Sequence, residues 1–322
     1  MTATKRVFMA MVGATALVTS AFSSTAFAWE PTKPVDFVIM AGAGGGADQI
    51  ARFLQSVAEK HEMSPRPLVP NNKGGGSGAE ALIALQGASD PDHTILVTLN
   101  SFFTTPIRQP ALGIDIMTFT PVTMMGVDPF VLWVHKDSGI TTFEDWLAKV
   151  KADDGAYVMG GTGKGQEDSI VIAWMEKNFG LNIKYIPYKG GGAVAKDLAG
   201  QQIMATVNNL SEARGFYQSV IRRSSPSPTS ACPPPRCPHG QGAGQGLFLL
   251  QPAGRRHAPG MSEDAARLLL VTLRQDLRPQ EWQEYMSSGK APERCRWMRL
   301  ARSEYWTTQV ARHTELLKEM EQ

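Results

Sequence analysis

Past the first 28 residues, short apolar runs alternate with stretches of helical spacing. Val35–Met40, Leu68-Val69, Thr94–Leu99, Phe130–Val134, Tyr157–Met159, Ile183–Ile186 and Ile203–Val207 read as strands, being short, apolar and rich in β-branched residues. Between them, apolar positions recur every three to four residues at Ile50, Phe53, Leu54, Val57 and Ala58. Further helices are predicted over 79–85, 143–150, 170–179 and 194–199. Asp48 is expected to cap the first of these helices. Thr141 with Glu144 is expected to form a capping box for the helix 143–150. Glu167 and Asp168 suit the positive start of the helix 170–179.

A repeating strand–loop–helix order is the mark of an α/β fold with mostly parallel strands. The unusual residues fall in the loops that follow strands and precede helices: Gly42–Gly46, Gly74–Gly78, Asn100-Ser101, Gly160–Gly165, Lys189–Gly192 and Asn208-Asn209. That edge of an open α/β sheet is where ligands bind. Helix N-termini there present free N–H groups, and glycine admits a ligand close to the backbone, so an anion, most simply a carboxylate, is the expected guest.

Lys5 and Arg6 precede the uncharged apolar run Val7–Val18, and Ala26-Phe27-Ala28 follows. This reads as a secretory signal cut after Ala28, with an exported mature chain starting at Trp29. The apolar run is shorter than the roughly 20 residues that span a bilayer. The whole sequence has 32 Lys+Arg and 30 Asp+Glu, so losing Lys5 and Arg6 leaves no net charge. A neutral chain argues against nucleic acid or an anionic membrane held by bulk charge. Three Cys in 322 residues exclude a disulfide-built scaffold.

Residues 219–260 break the pattern, with eight Pro, five Arg and no Lys, Asp or Glu. One reading is a Pro/Gly/Ser linker between domains. The favoured reading is frame-shifted text from a GC-rich gene, with ordinary text returning at Met261–Ala266, Glu281–Met286 and Tyr305–Glu321, and residues 267–279 and 293–302 partly scrambled. Cys232, Cys237, Cys295, His239 and His257 all follow the start of the break. Their spacing matches no common zinc pattern, and no metal site is expected.

Other motifs fail on inspection. Gly42-x-Gly44-x-x-Ala47 matches the dinucleotide fingerprint formally, but no acid stands at the end of the second strand. Gly163-Lys164 lacks the earlier Gly and the following Ser or Thr of a phosphate loop, with Val158 and Gly165 in those places. Gly75-x-Ser77-x-Ala79 has Ala where a nucleophile elbow ends in Gly, and neither His93 nor His135 has an evident Asp partner by spacing. No cofactor and no catalytic residue is expected.

Taken together, VIMAGAGGGADQIAR (38–52), NNKGGGSGAEAL (71–82), GGTGKGQEDS (160–169) and IPYKGGG (186–192) with the following Asn208-Asn209 resemble the periplasmic solute-binding proteins of tripartite tricarboxylate transporters, the TctC/Bug family. The resemblance runs from about Trp29 to Gln218 and resumes in patches, the last being 305–320. It implies a two-lobed periplasmic-binding-protein fold of the flytrap kind (type II), with a ligand cleft between lobes. The first lobe would take 29–128 and the return segment 248–322, and the second lobe 129–247.

The resemblance implies that a carboxylate is held by Ala43, Gly44, Gly45, Gly46 and Ala47 with Asp48 beside them, and by Gly75, Gly76, Ser77 and Gly78. Thr162, Gly163, Tyr188, Lys189, Gly190 and Asn208 would close over it. Residue chemistry adds Lys164, an ammonium in a Gly-rich loop at the cleft rim, and Asn100, whose amide can both donate and accept. The implied function is a monomeric receptor, not an enzyme, that delivers a tri-, di- or aromatic acid to large and small inner-membrane permease subunits. An exported enzyme on the same scaffold, a sensor subunit and a damaged copy of the receptor are the alternatives. Two departures stand out: Ala41 or Ala43 replaces the family's usual Pro, and 219–260 does not match the family's return strand and hinge.

Overall fold

The computed structural model describes residues 29–217, 221–223, 244–251 and 304–321. The expected signal segment, the three Cys, His239 and His257 lie outside them. In chain order the elements are β1 (Val35–Ile39), α1 (Gly46–Lys60), β2 (Leu68–Asn72), α2 (Ala79–Gln86), β3 (Thr94–Thr98), α3 (Ser101–Arg108), β4 (Thr120–His135), α4 (Phe143–Asp153), β5 (Val158–Thr162), α5 (Glu167–Phe179), β6 (Lys184–Tyr188), α6 (Gly191–Ala199), β7 (Ala205–Asn209), α7 (Leu210–Ala213), β8 (Ile221–Arg223), β9 (Gly244–Gln251) and α8 (Glu304–Glu321). Among the described residues no helix is long and apolar enough to cross a membrane.

The strands run β2-β1-β3-β9-β4-β7-β5-β6, with β8 also on β4. β1 is parallel to β2 and β3, and β5 is parallel to β6 and β7, as the strand–helix alternation predicts. β4 joins the two halves. Its Thr120–Pro129 stretch pairs antiparallel with β9, and Phe130–Val134 pairs antiparallel with β7. Register shifts between Pro121 and Thr123, and between Met124 and Gly126, break the β4–β9 ladder just before the crossing. Such irregularities bend a strand and sharpen its twist.

Period-two alternation gives each half two cores. In the first, Val35, Phe37 and Ile39 face Ile50, Ala51 and Leu54 of α1. Val38 and Met40 point to the other side, against Leu82 and Leu85 of α2, Phe102 and Phe103 of α3, and Trp306 of α8. In the second, Phe130, Leu132 and Val134 pack on Trp146 of α4 and Ile172 and Met175 of α5, while Val131 and Trp133 pack on Val194 and Leu198 of α6. α8 also reaches across, its Leu317 meeting Ile170 of α5 and, at the edge, Ile107 of α3.

Two expected caps move. Gly45, not Asp48, precedes α1; Asp48 sits inside the first turn, and its carboxylate reaches back to the Gly44 N–H at 2.8 Å. Arg52 and Asn72 each donate to it at 2.9 Å, so it is a buried structural acid. The capping box of α4 is Thr142 with Asp145, one residue later than expected. Asp145 accepts from both Thr141 and Thr142, which holds its carboxyl down at about 2.

The stretch 219–260, which does not match the family's return strand and hinge in sequence, still contributes a strand. Gly244–Gln251 runs as β9 between β3 and β4. The run Leu247-Phe248-Leu249-Leu250 has the apolar character a strand needs.

Candidate functional site

Every parallel strand delivers its C-terminal end to the same gap between the two sheets. The loop after β1 meets the loop after β6 directly. The Gly42 N–H donates to the Lys189 carbonyl at 3.2 Å, and Gly44 lies against Gly192. A Cβ on Gly42 would sit 2.6 Å from the Lys189 oxygen, so this approach requires glycine for space. The loop after β2 meets the loop after β5. Ser77, held at φ 59°, donates its hydroxyl to the Lys164 carbonyl at 3.1 Å. Thr104 of α3 donates to the Gly165 carbonyl at 2.8 Å. The lobes are therefore closed on each other.

A cavity of about 30 Å³ remains at their junction. That is room for about one water-sized group. Of the expected site residues, Gly45, Gly46, Thr162, Lys189 and Gly190 line it. Ala43, Gly44, Gly75, Gly76, Ser77, Gly163 and Lys164 stand in the contacting loops around it, outside the lining. Ala47, Asp48 and Gly78 are buried beneath those loops. The Gly75 N–H is taken by Glu80 at 3.2 Å. Asn100 is buried at the residue before α3 and makes no side-chain capping bond. Tyr188 turns away, donating its hydroxyl to Asp197 at 2.8 Å, and burial with that bond pushes its phenol up to about 12.

Asn208 and Asn209 separate. Successive residues of a strand face opposite ways. The Asn208 side chain donates to the Gly191 carbonyl at 2.9 Å and braces the loop. Asn209 is the one that lines the cavity. Its carbonyl oxygen caps α7, while its side-chain N–H group, buried, has no acceptor.

Sequence reasoning missed the acids and, of the donors opposite them, Ser101. Glu167 opens α5, and its carboxylate accepts from the Ser101 N–H that opens α3. Burial, with the Asp168 charge beside it, pushes the Glu167 carboxyl up to about 7. Asp168, also raised by burial to about 6, accepts from the Thr162 N–H and hydroxyl. Glu212 accepts from the Gly46 N–H at 2.8 Å and from the Asn209 N–H at 3.2 Å. Glu167 and Asp168 were visible only as helix-start acids, and Glu212 only as the fourth residue of Asn-x-x-Glu, a capping pattern. Met40, Leu99 and Phe130 supply apolar wall. Among the described residues no group of three or more His, Cys, Asp or Glu could hold a metal ion.

Two sheets bridged by one long strand, closing on a gap lined by helix starts, define a periplasmic-binding-protein fold. The solved periplasmic binding protein BugD superposes with a TM-score of 0.75 at 20% identity, covering 90% of this chain and 98% of that one. MatC (Rpa3494) from Rhodopseudomonas palustris, solved with bound malate, gives 0.75 at 16% identity over 89% and 99%. R. palustris Rpa4515, solved with adipate, gives 0.74 at 20% over 90% and 98%. In sequence, residues 50–221, just over half of the chain, match the tripartite tricarboxylate transporter family receptor, TctC. The chain belongs to that family. Protein BugT of Bordetella pertussis is 24% identical over 56% of this chain and 56% of its own length. A UPF0065 protein from the ttuE-ttuC' intergenic region of Agrobacterium vitis is 27% identical over 54% of this chain and 50% of its own length. The chain thus spans about half the length of the curated relatives it matches.

Proposed function

We propose that this chain is an exported receptor that binds a small organic carboxylate in the cleft and delivers it to the large and small subunits of an inner-membrane permease. The observation that carries the reading is the convergence of the starts of α1 and α3 on one cavity, with the unpartnered Asn209 amide beside them. Helix starts and free N–H groups attract anions. The malate bound to MatC and the adipate bound to Rpa4515 support the ligand class, since both proteins share this fold. The contacting Gly-rich loops supply backbone donors on opening, and Thr162, Lys189 and Gly190 close over the guest. No covalent step is involved.

In this reading the signal is cut after Ala28, and the lobes divide near residues 128 and 247. The change of β4 from pairing with β9 through Pro129 to pairing with β7 from Phe130 supports the first of these divisions. The test is a melting screen of the purified chain against malate, adipate, citrate and aromatic acids. A ligand at 100 times its Kd raises stability by about 2.7 kcal/mol, a shift of a few degrees. No shift with any carboxylate at millimolar concentration sinks the proposal. N-terminal sequencing of exported protein should begin at Trp29.

A further inference from the structure

Two acids of the second lobe occupy the places where the first lobe would receive an anion. Glu212 seats one oxygen on the Gly46 N–H at 2.8 Å, at the first residue of the 15-residue helix α1. Its other oxygen accepts from the Asn209 N–H within the cap of its own short helix. Glu167 sits in the same way on the Ser101 N–H at the start of α3. Each contact crosses the cleft, so each ties one lobe to the other.

The surroundings are built for Glu212. A Cβ on Gly191 would fall 2.3 Å from its carboxyl carbon, so only glycine leaves room for this carboxylate. Beside it stands Asn209, 2% exposed, whose side-chain N–H group has no acceptor although it lines the cavity. One spot thus holds a seated carboxylate and a donor ready for a second. A buried donor left without a partner is unfavourable, and an arriving carboxylate oxygen would relieve it.

We propose that Glu212 is a tethered stand-in for the ligand's carboxylate. It latches the lobes shut when no ligand is bound, and an incoming carboxylate replaces it on the Gly46 N–H while engaging the Asn209 amide. Glu167 stays on Ser101 in both states, because it is 4% exposed and walled in by Asp168, whereas Glu212 is only partly buried. The latch adds a competitor to the carboxylate reading above and rests on it.

The experiment uses the full chain, its Glu212→Gln and Glu212→Ala variants, and Asn209→Ala, with malate and adipate as probes. Calorimetry reads affinity, and small-angle scattering reads the radius of the ligand-free protein. Removing the internal charge should tighten binding by about 5- to 30-fold, the range set by a carboxylate's attraction to a partly buried helix start. Glu212→Gln keeps the side-chain shape and guards against a misfolded Ala variant. Both Glu212 variants should have a larger ligand-free radius, and Asn209→Ala should bind at least about 5-fold more weakly, the loss of one hydrogen bond. Binding by the wild type with unchanged or weaker binding by Glu212→Gln overturns the exchange and leaves the receptor reading standing. If no carboxylate binds either protein, the receptor reading falls with the exchange. An unchanged radius in Glu212→Gln overturns the latch in every case.

Discussion

Gly42→Ala should jam the cleft open. A methyl group there would lie 2.6 Å from the Lys189 oxygen and 3.1 Å from its carbonyl carbon, both main-chain atoms of the opposite lobe. Backbone cannot swing aside as a side chain can, so the loops must part. Overpacking of this kind costs about 1–3 kcal/mol. The cross-cleft bond from the Gly42 N–H, at 3.2 Å, is lost as well, about another 1 kcal/mol. Closure is therefore weakened by about 2–4 kcal/mol, which corresponds to a loss of roughly 100-fold in ligand affinity. Gly42 is outside the left-handed region, so alanine strains nothing within its own loop. Calorimetry should show the weaker binding, small-angle scattering a radius larger than that of the wild type with and without ligand, and circular dichroism an unchanged secondary structure. Wild-type affinity with wild-type compaction would refute the claim that these loops meet in the bound state.

Glu167 makes stability depend on pH. Its carboxyl is raised from 4.5 to about 7, so the folded, closed chain holds this proton more tightly than the unfolded chain does. The penalty is full above about pH 7 and fades as pH falls toward 4.5, about 3 kcal/mol in all. Glu167→Gln should remove that slope from melting curves taken between pH 5 and 8. The difference between the two proteins cancels the opposing contribution of His313, whose buried ring is held below its usual value. Equal slopes would count against burial as the cause of the raised Glu167 carboxyl. Asn208→Ala should lower stability by about 1–3 kcal/mol by orphaning the Gly191 carbonyl, and Asn209→Ala by about 1 kcal/mol through the lost cap of α7. Resequencing codons 215 to 305 should reveal compensating insertions and deletions. An error-free Pro/Arg/Cys stretch would instead favour a true linker.

Strand–helix alternation made most of the two sheets legible, because parallel strands buried on both faces write continuous apolar runs. The elements that escaped were those whose local signals conflict with their place. α3 carries Pro106 and two β-branched Thr in eight residues. The first half of β4 is punctuated by Pro121, Gly126 and Pro129, and only its pairing with β9 makes it a strand. β9 itself lies in text whose composition argued against order.

At the site, the Gly-rich loops were readable, since few other roles demand so many glycines between strand and helix. The reach of Glu167 and Glu212 was not. An acid at a helix start ordinarily answers its own helix, and nothing local reveals a partner on the other lobe. The choice between Asn208 and Asn209 depended on which face of β7 met the gap, a matter of register that the dipeptide does not encode.

The clasp between Gly42 and Lys189 and between Gly44 and Gly192 is made of main chain. Substitution of side chains elsewhere in the cleft can alter what the gap accepts without removing this contact. One part of the closure is thereby assigned to atoms that select nothing. A scaffold divided in this way can drift among chemically distinct guests while its mechanical stroke is inherited unchanged, provided the glycines at the contact are kept.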